Sequence, residues 1–497
     1  MSQDAAIAGT VAEREILGHP RGLATLFFTE MWERFSYYGM RALLVLFMVD
    51  QTATGGLGFT DQVATAIYGL YTAAVYLVAL PGGWIADRLW GAQRAIFVGG
   101  LIIMCGHFVL AIPGITTFFL GLLLVVLGTG LLKPNVSAVV GELYGADDPR
   151  RDAGFTIFYV GINVGAAIGP LICGWLAGAN WHYGFAAAGV GMAAGLVQFR
   201  LSRHLLGDAG VAPAAPPEPR LVRNAWRTIA AVLAVIALLF YAALTGRLEL
   251  DAVRLAGWTA AAIFAATLAY FAYVFVFGRL RPAERNRVIV IMALVLAGAM
   301  FWSGYEQAGS SLNLFAERYT LRDFGALTIP AAWFQSLNPA FIILLAPAYT
   351  ALWVGLARRN LEPSTPAKFA LGLVLLGLGF AIMIGAATLV AEGQRVLPTW
   401  LFFTYLLHTM GELALSPVGL SAMTKLSPKR FTGQMMGMWF MCTGLGYVIA
   451  GLIAGRFRTD ALDQMPELYL QIVLTTVGTG VVLALLVKPL KRLAAGR

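Results

Sequence analysis

Four ionisable side chains lie within one long apolar segment of the sequence, TEMWERFSYYGMRALLVLF at positions 29–47. They are Glu30, Glu33, Arg34 and Arg41. With 100° between successive residues of a helix, these side chains share one face with Tyr37 and Tyr38. Ionisable groups inside a membrane helix cost roughly 3 kcal/mol each on insertion scales, and they usually face a bundle interior or a watery cavity. The segment therefore predicts a functional polar face.

Three further charged residues interrupt apolar runs elsewhere in the chain. Lys133 lies directly before Pro134, Glu306 lies in FWSGYEQAGSSLNLFAE, and Glu412 lies in HTMGELALSPVGLS. A lysine this deep either snorkels to an interface or pairs with a carboxylate in a polar cavity. The deep charges are three cations and four acids. This near balance predicts interhelical ion pairs, some of which a proton or a ligand can break and remake.

Two asparagines also lie within apolar runs. Asn163 adjoins a stripe of three glycines at spacing four, Gly161, Gly165 and Gly169, which permits close helix packing. An intramembrane asparagine is either part of a polar site or bonds a neighbouring helix. Asn338 precedes Pro339, and a proline here removes a backbone hydrogen bond and permits a kink.

The composition requires a membrane setting. Of the 497 residues, 59% are hydrophobic and 12% are charged, and the mean hydropathy is +0.74. A membrane helix needs about 20 apolar residues. The first 20 residues hold no apolar core followed by a cleavage site, so no cleavable signal peptide is expected. We predict fourteen spans, at 22–49, 62–87, 93–113, 115–140, 153–177, 182–203, 224–246, 252–277, 287–313, 330–357, 367–390, 398–424, 431–455 and 468–489.

The net charge of +9 reports topology rather than a nucleic-acid partner. Most of the 35 Lys and Arg residues fall at one set of span ends, as Arg88, Arg94 and Arg150 do. Cytoplasmic loops carry the excess of Lys and Arg. Both termini are therefore predicted to be cytoplasmic.

The sequence offers little for metal or enzyme chemistry. The three cysteines, Cys105, Cys173 and Cys442, lie in apolar runs without metal-ligand spacing, so neither a zinc site nor a disulfide is expected. There is no HExxH or GxSxG motif. The run GVGMAA at 189–194 imitates a dinucleotide fingerprint but lacks the required strand, and it is interpreted as helix packing.

The chain divides near its middle. A Pro- and Ala-rich stretch follows the sixth span, and two apolar spans with almost no deep charge come next. Six further spans then follow. We predict a six-helix bundle at 1–206, a cytoplasmic linker at 207–223, an accessory helical hairpin at 224–286, and a second six-helix bundle at 287–497.

Several motifs in order resemble one known family. EMWERFSYY at 30–38 is similar to the ExxERFxYY motif of the proton-dependent oligopeptide transporter (POT/PTR) family, within the major facilitator superfamily. FYVGINVG at 158–165 resembles its second signature, and FWSGYEQAGSSLNLFA and GELALSPVGLS resemble its seventh- and tenth-span segments. The loop GGWIADRLWGAQR at 82–94 matches the superfamily pattern between spans two and three. The resemblance implies an all-α polytopic membrane protein with two six-helix bundles and two accessory helices.

The resemblance also implies a function and a set of site residues. A bacterial member would import di- and tripeptides with protons, by alternating access, across the inner membrane, as a monomer and without a further cofactor. Arg34, Lys133 and Tyr38 would face the peptide carboxylate. The residues implied to face its amino group are Asn163, Asn338 and Glu412. The residues implied to line the cavity are Tyr37, Tyr76, Trp439 and Phe440.

Proton coupling is implied to run through Glu30, Glu33 and Arg34. Arg41 with Glu306, and Lys133 with Glu412, are the candidate ion pairs that gate opposite sides. The second span contains no histidine, unlike that of mammalian relatives, so coupling is expected to rest on carboxylates. The alternatives are a related carrier for nitrate, amino acids or drugs, because the superfamily fold alone does not fix the substrate, and a peptide-binding receptor.

Overall fold

The computed structural model describes residues 15–16, 18–145, 148–213, 218–457 and 461–495. Most of these residues are helical. The helices are α1 Gly22–Val49, α2 Asp61–Ile85, α3 Ala92–Leu110, α4 Ile115–Glu142, α5 Arg151–Ala177, α6 Trp181–Ser202, α7 Pro219–Leu244, α8 Ala252–Phe277, α9 Pro282–Tyr305, α10 Ser311–Tyr319, α11 Leu337–Arg358, α12 Thr365–Ala391, α13 Thr399–Leu426, α14 Thr432–Ala454, α15 Met465–Leu485 and α16 Val487–Ala494.

Each of the fourteen predicted spans coincides with an α-helix, in several cases extended by a short 3-10 or π-helical segment, and the ninth covers α9, a 3-10 turn and the start of α10. Within the described ranges, twelve helices are long and apolar enough to cross a membrane. The other two predicted spans are α1 and α13, which have 28 residues each and so exceed the required length of about 20. The predicted all-α polytopic fold is therefore confirmed.

Two features were not predicted from the sequence. Two-residue strands form antiparallel pairs, β1 Glu15–Ile16 with β2 His19–Pro20, and β3 Asp323–Phe324 with β4 Leu327–Thr328. The ninth span is also interrupted, because a 3-10 turn at Glu306–Gly309 separates α9 from α10. Strands of two residues are too short to leave an alternating apolar pattern.

The chain forms two compact units. The first comprises Met1–Met40 and Val78–Leu250, and the second comprises Arg41–Leu77 and Asp251–Arg497. The predicted bundle, linker and hairpin boundaries stay a prediction, and residues 214–217 of the predicted linker lie outside the described residues.

In the first unit, the glycine stripe of α5 allows a close approach to α1. A Cβ atom at Gly161, Gly165 or Gly169 would lie 3.0, 2.0 or 2.4 Å from the carbonyl oxygens of Phe27, Met31 and Phe35 respectively. Because both sets of residues recur every four positions, the two backbones are in contact over more than two turns. This contact, which the stripe predicted, fixes α1 and its charged face.

The start of the predicted linker is anchored in the same unit. The backbone N–H of Gln93 donates to the Gly210 carbonyl at 2.8 Å, and the Gly210 N–H donates to the Glu142 carboxylate at 2.7 Å. Gly91 has a φ of +78°, and a Cβ there would lie 2.3 Å from the Val211 carbonyl oxygen. Residues 207–211 therefore lie against the loop before α3 and the end of α4.

In the second unit, small residues again bring helices together. A Cβ at Gly69 would lie 2.9 Å from the Tyr447 carbonyl oxygen, and one at Gly451 would lie 2.4 Å from that of Thr65. A Cβ at Gly446 would lie 2.8 Å from the Ala299 carbonyl oxygen. Helix α14 is therefore held against residues 61–77 of α2 and against α9.

The two accessory helices expose large apolar side chains. Leu238 of α7 is 66% exposed, and Trp258 and Val276 of α8 are 75% and 70% exposed. Because a surface of this kind is stable against hydrocarbon rather than water, it is the surface expected to face lipid.

Candidate functional site

Arg34 is paired with both glutamates of its own motif. Its Nη2 lies 2.7 Å from Glu30 Oε1, and its Nε lies 3.1 Å from Glu33 Oε2. All three side chains are buried, and the pair with Glu30 has the i, i+4 spacing of one helical turn. The polar face predicted from the sequence thus contains a local ion cluster on α1, in which Arg34 pairs with the carboxylates of Glu30 and Glu33.

The other predicted residues of the first unit differ in their burial. Tyr37 is buried and Tyr38 is half-buried, and their rings meet edge to face at 5.3 Å. Lys133 is half-buried on α4 and interacts electrostatically with Glu33. The pairing of Lys133 with a carboxylate in a polar cavity stays a prediction.

Asn163 bonds within its own helix. Its Nδ2 donates to the Tyr159 carbonyl at 2.9 Å, one turn earlier on α5, and its side chain is buried. This bond is neither the predicted contact to a ligand nor a bond to a neighbouring helix. A ligand role for Asn163 stays a prediction.

Arg41 and Glu306 form the ion pair predicted from the sequence. Arg41 Nη1 lies 3.0 Å from Glu306 Oε1, and the Tyr68 hydroxyl donates to the same oxygen at 2.6 Å. Arg41 is 8% exposed, and Glu306 is fully buried at the first position of the 3-10 turn. The break in the ninth span therefore carries a buried charge pair, and its role in gating stays a prediction.

Glu412 receives two donors on one oxygen. The Tyr305 hydroxyl donates to Oε2 at 2.6 Å, and Asn338 Nδ2 donates to Oε2 at 3.0 Å. Asn338 also donates to Thr409 Oγ1 at 3.0 Å, one turn before Glu412 on α13. Among the described residues Oε1 has no recorded partner, and Glu412 is only half-buried. The arrangement therefore fixes one carboxylate oxygen of Glu412 with two donors.

Aromatic side chains of the second unit form a connected series. The hydroxyls of Tyr76 and Tyr447 lie 3.3 Å apart, and Trp302 packs edge to face on Tyr447 with ring centroids 6.1 Å apart. Trp439 is 5% exposed, and a Cβ at Gly419 would lie 2.3 Å from its ring, so its place in the lining of a cavity stays a prediction. Phe440 is half-buried.

Sequence reasoning missed two tyrosines that contact the predicted acids. Tyr68 belongs to a polar stripe at spacing four, Tyr68, Thr72 and Tyr76, of which only Tyr76 was singled out. Tyr305 directly precedes Glu306 in a quoted motif. The stripe was a usable signal for Tyr68, whereas the partner of Tyr305 lies 107 residues away and left no sequence signal.

The second predicted pair joins residues of different units. Lys133 belongs to the first and Glu412 to the second, and their pairing stays a prediction. Cys105, Cys173 and Cys442 are all free thiols, and within the described residues no group of three or more potential metal ligands is found.

The fold and the site together define the class of protein. Many apolar spans with buried, mutually paired charges are typical of membrane carriers, in which intramembrane ionisable groups mark substrate and ion pathways. The model of the POT family matches residues 93–467. The chain therefore belongs to the POT family, as the sequence motifs predicted.

Curated relatives cover nearly the whole chain. It is 41% identical over 495 residues to a peptide transporter of Yersinia enterocolitica, covering 97% of each chain. It is 38% identical over 495 residues to a di-/tripeptide transporter of Lactococcus lactis subsp. cremoris, covering 97% of this chain and 98% of that one. These relatives are transporters, in agreement with the prediction of a multi-pass transporter rather than an enzyme.

Solved structures agree with the fold. A crystal structure of a peptide transporter POT in complex with sulfate superposes with a TM-score of 0.90 at 42% identity, covering 97% of both chains. A POT family transporter in complex with a thioalcohol-conjugated peptide superposes with a TM-score of 0.87 at 34% identity, covering 96% of this chain and 98% of that one.

Proposed function

We propose that this protein is a proton-coupled symporter that imports di- and tripeptides by alternating access. Family membership supports this proposal, as do relatives named peptide transporter and di-/tripeptide transporter. A related solved structure holds a thioalcohol-conjugated peptide.

The observation that carries the proposal is the environment of Glu412. Tyr305 and Asn338 hold Oε2, and Oε1 has no recorded partner among the described residues. A carboxylate fixed in this way binds an ammonium group by a charge-assisted hydrogen bond, which is about twice as strong as a neutral one. The free amino terminus of a peptide is the ligand group that fits this chemistry.

We assign the other end of the peptide to the cations of the first unit. Arg34 and Lys133, helped by Tyr38, would bind the carboxylate, because a guanidinium and an ammonium both match it. Asn163 and Asn338 would join Glu412 at the amino end. The aromatic residues proposed to accept variable side chains are Tyr37, Tyr76, Trp439 and Phe440.

Protons are the proposed coupling ion. The candidate carriers are the carboxylates paired with arginine, Glu30, Glu33 and Glu306. Protonating such a carboxylate releases its arginine, and the freed cation changes the preferred conformation. Each inward-moving positive charge gains roughly 2.3 kcal/mol per 100 mV of membrane potential.

The proposed setting follows from the charge pattern and the relatives. It is the bacterial inner membrane, with both termini in the cytoplasm and with the monomer as the working form. Lipid, peptides and protons are the proposed partners, and nucleic acid is not among them.

Uptake of labelled dialanine into proteoliposomes tests this function. Wild-type protein and Glu412→Gln are compared with and without an inward-acid gradient and an inside-negative potential. Glu317→Gln serves as the matched control, because Glu317 is an exposed glutamate of α10. We expect gradient-dependent accumulation that unlabelled di- and tripeptides inhibit and free alanine does not, and that only Glu412→Gln loses.

Two results would count against the proposal. If nitrate, free amino acids or a drug inhibit the accumulation and peptides do not, the protein is another carrier of the superfamily. Binding of dialanine without any movement across the membrane would indicate a receptor.

A further inference from the structure

Two consecutive residues, Tyr305 and Glu306, belong to the two buried acidic sites of the second unit, those of Glu412 and of the Arg41–Glu306 pair. Tyr305 is the last residue of α9, and its hydroxyl donates to Glu412 Oε2 at 2.6 Å. The next residue, Glu306, accepts from Arg41 and Tyr68 at the first position of the 3-10 turn. One peptide bond therefore joins Tyr305, which contacts Glu412, to Glu306, which pairs with Arg41.

Aromatic neighbours hold the ring of Tyr305. Phe301, one turn earlier on α9, stacks on it with centroids 5.7 Å apart. Trp302 meets it edge to face at 5.2 Å. Packing on both neighbours limits the rotamers of Tyr305 and so holds its hydroxyl in a fixed relation to the backbone beside the helix break.

The second donor to Glu412 makes a different kind of connection. Asn338 Nδ2 bonds Thr409 as well as Glu412, and both of these residues belong to α13. Asn338 therefore links α11 to α13. Tyr305 alone, among the recorded donors to Glu412, lies beside the break in the ninth span.

We propose that Tyr305 is a positioning residue that connects the amino-group site at Glu412 to the Arg41–Glu306 pair. This inference rests on the proposed function, in which Glu412 binds the peptide ammonium. The hydroxyl holds Oε2 so that Oε1 is presented to the ammonium. Movement of Glu412 on binding then acts through Tyr305 on the 3-10 turn Glu306–Gly309, where short 3-10 segments often form a hinge.

Tyr305→Phe isolates the hydroxyl, because it keeps the ring and its packing. The matched control is Tyr270→Phe, which removes an exposed hydroxyl of α8 bonded to Gln434 at 3.1 Å. Dissociation constants are measured for dialanine and for N-acetyl-dialanine, which has no ammonium. We expect Tyr305→Phe to bind dialanine about tenfold more weakly, because one hydrogen bond to a charged group is lost, and to bind N-acetyl-dialanine unchanged.

Accumulation ratio and counterflow report on the connection to Glu306. We expect Tyr305→Phe to lower gradient-driven accumulation of dialanine at saturating substrate while counterflow continues. A double-mutant cycle with Glu412→Gln then tests the route. If the hydroxyl acts through Glu412, adding Tyr305→Phe to Glu412→Gln weakens dialanine binding less than twofold further.

The outcomes separate the two proposals. Wild-type protein that neither binds nor transports dialanine overturns the proposed function and this inference with it. Wild-type transport with a Tyr305→Phe variant that matches Tyr270→Phe, or with fully additive effects in the cycle, overturns this inference alone. If Tyr305→Phe does not give folded protein, O-methyltyrosine at position 305 removes the same donor and the same comparison is made.

Discussion

Arg41 and Glu306 form a buried ion pair, with Nη1 3.0 Å from Oε1, although 265 residues separate them in the sequence. The Tyr68 hydroxyl donates to the same carboxylate oxygen at 2.6 Å. Desolvation of two buried charges offsets much of their attraction, so such a pair is poor evidence for stability by itself. Removing one partner, however, leaves an uncompensated buried charge, and this asymmetry makes the pair testable.

Glu306→Gln should destabilise the protein by about 3–5 kcal/mol, because the buried Arg41 loses its counterion. We expect Glu306→Gln to have a lower melting temperature in detergent than the wild-type protein. Glu317→Gln on α10 is the control, because its pair with Arg322 is half-exposed and such pairs contribute at most about 1 kcal/mol. Equal melting temperatures for the two variants would show that Arg41 does not depend on Glu306.

Glu33→Gln should abolish proton-driven accumulation of dialanine and leave counterflow intact. Glu33 Oε2 lies 3.1 Å from Arg34 Nε. Glutamine keeps the size of this side chain but cannot bind and release a proton. Glu317→Gln, at an exposed glutamate of α10, provides the comparison. Unchanged accumulation by Glu33→Gln would remove Glu33 from the coupling mechanism.

Gly165→Ala should destabilise the protein by about 1–3 kcal/mol through overpacking. The added methyl group would lie 2.0 Å from the Met31 carbonyl oxygen and 3.0 Å from Arg34 Cβ, so α1 must move. Gly257→Ala is the control, because a Cβ at this helical glycine has no atom within 4 Å. Melting temperature and dialanine affinity should fall together in Gly165→Ala only, and equal values in both variants would contradict the contact.

A charge clamp holds the β1–β2 hairpin to the loop before α5. Arg150 Nη1 donates to Glu15 Oε1 at 2.7 Å, and Nη2 lies 2.9 Å from Asp148 Oδ2. Hydrogen bonds from Arg150 hold the pKa of the Asp148 carboxyl below its usual range. Since the folded-state pKa is the lower one, the contribution of Asp148 is complete above the unfolded value of about 3.9 and is lost as the pH falls through the folded value.

The clamp should therefore stay closed from pH 7 to pH 5 and open only below about pH 4. Hydrogen–deuterium exchange at the backbone amides of Gly18 and His19, corrected for intrinsic rates, measures this opening. Asp148→Asn should increase exchange already at pH 7, whereas Asp251→Asn, at the N-cap of α8, should not. Opening of the wild-type clamp between pH 5 and pH 7 would show that another group controls it.

The sequence by itself determined the spans, the family and the deep charges. An apolar run of membrane length must form a helix in hydrocarbon, because every backbone polar group has to be bonded within the segment. Hydropathy therefore located fourteen helical segments, of which twelve, within the described residues, are long and apolar enough to cross a membrane. Charges such as Glu306 and Glu412 were visible because a charge inside an apolar run is costly and stands out from its neighbours.

Only the tertiary structure decided which groups meet. Spacing along a helix places Glu30 beside Arg34, but it does not determine which helix packs on which. The sequence proposed the partner of Arg41 correctly only through a family resemblance, and it left the hydroxyls of Tyr68 and Tyr305 unassigned. Hydrogen bonds act over about 3 Å, whereas these partners lie 238 and 107 residues away, so packing alone brings them together.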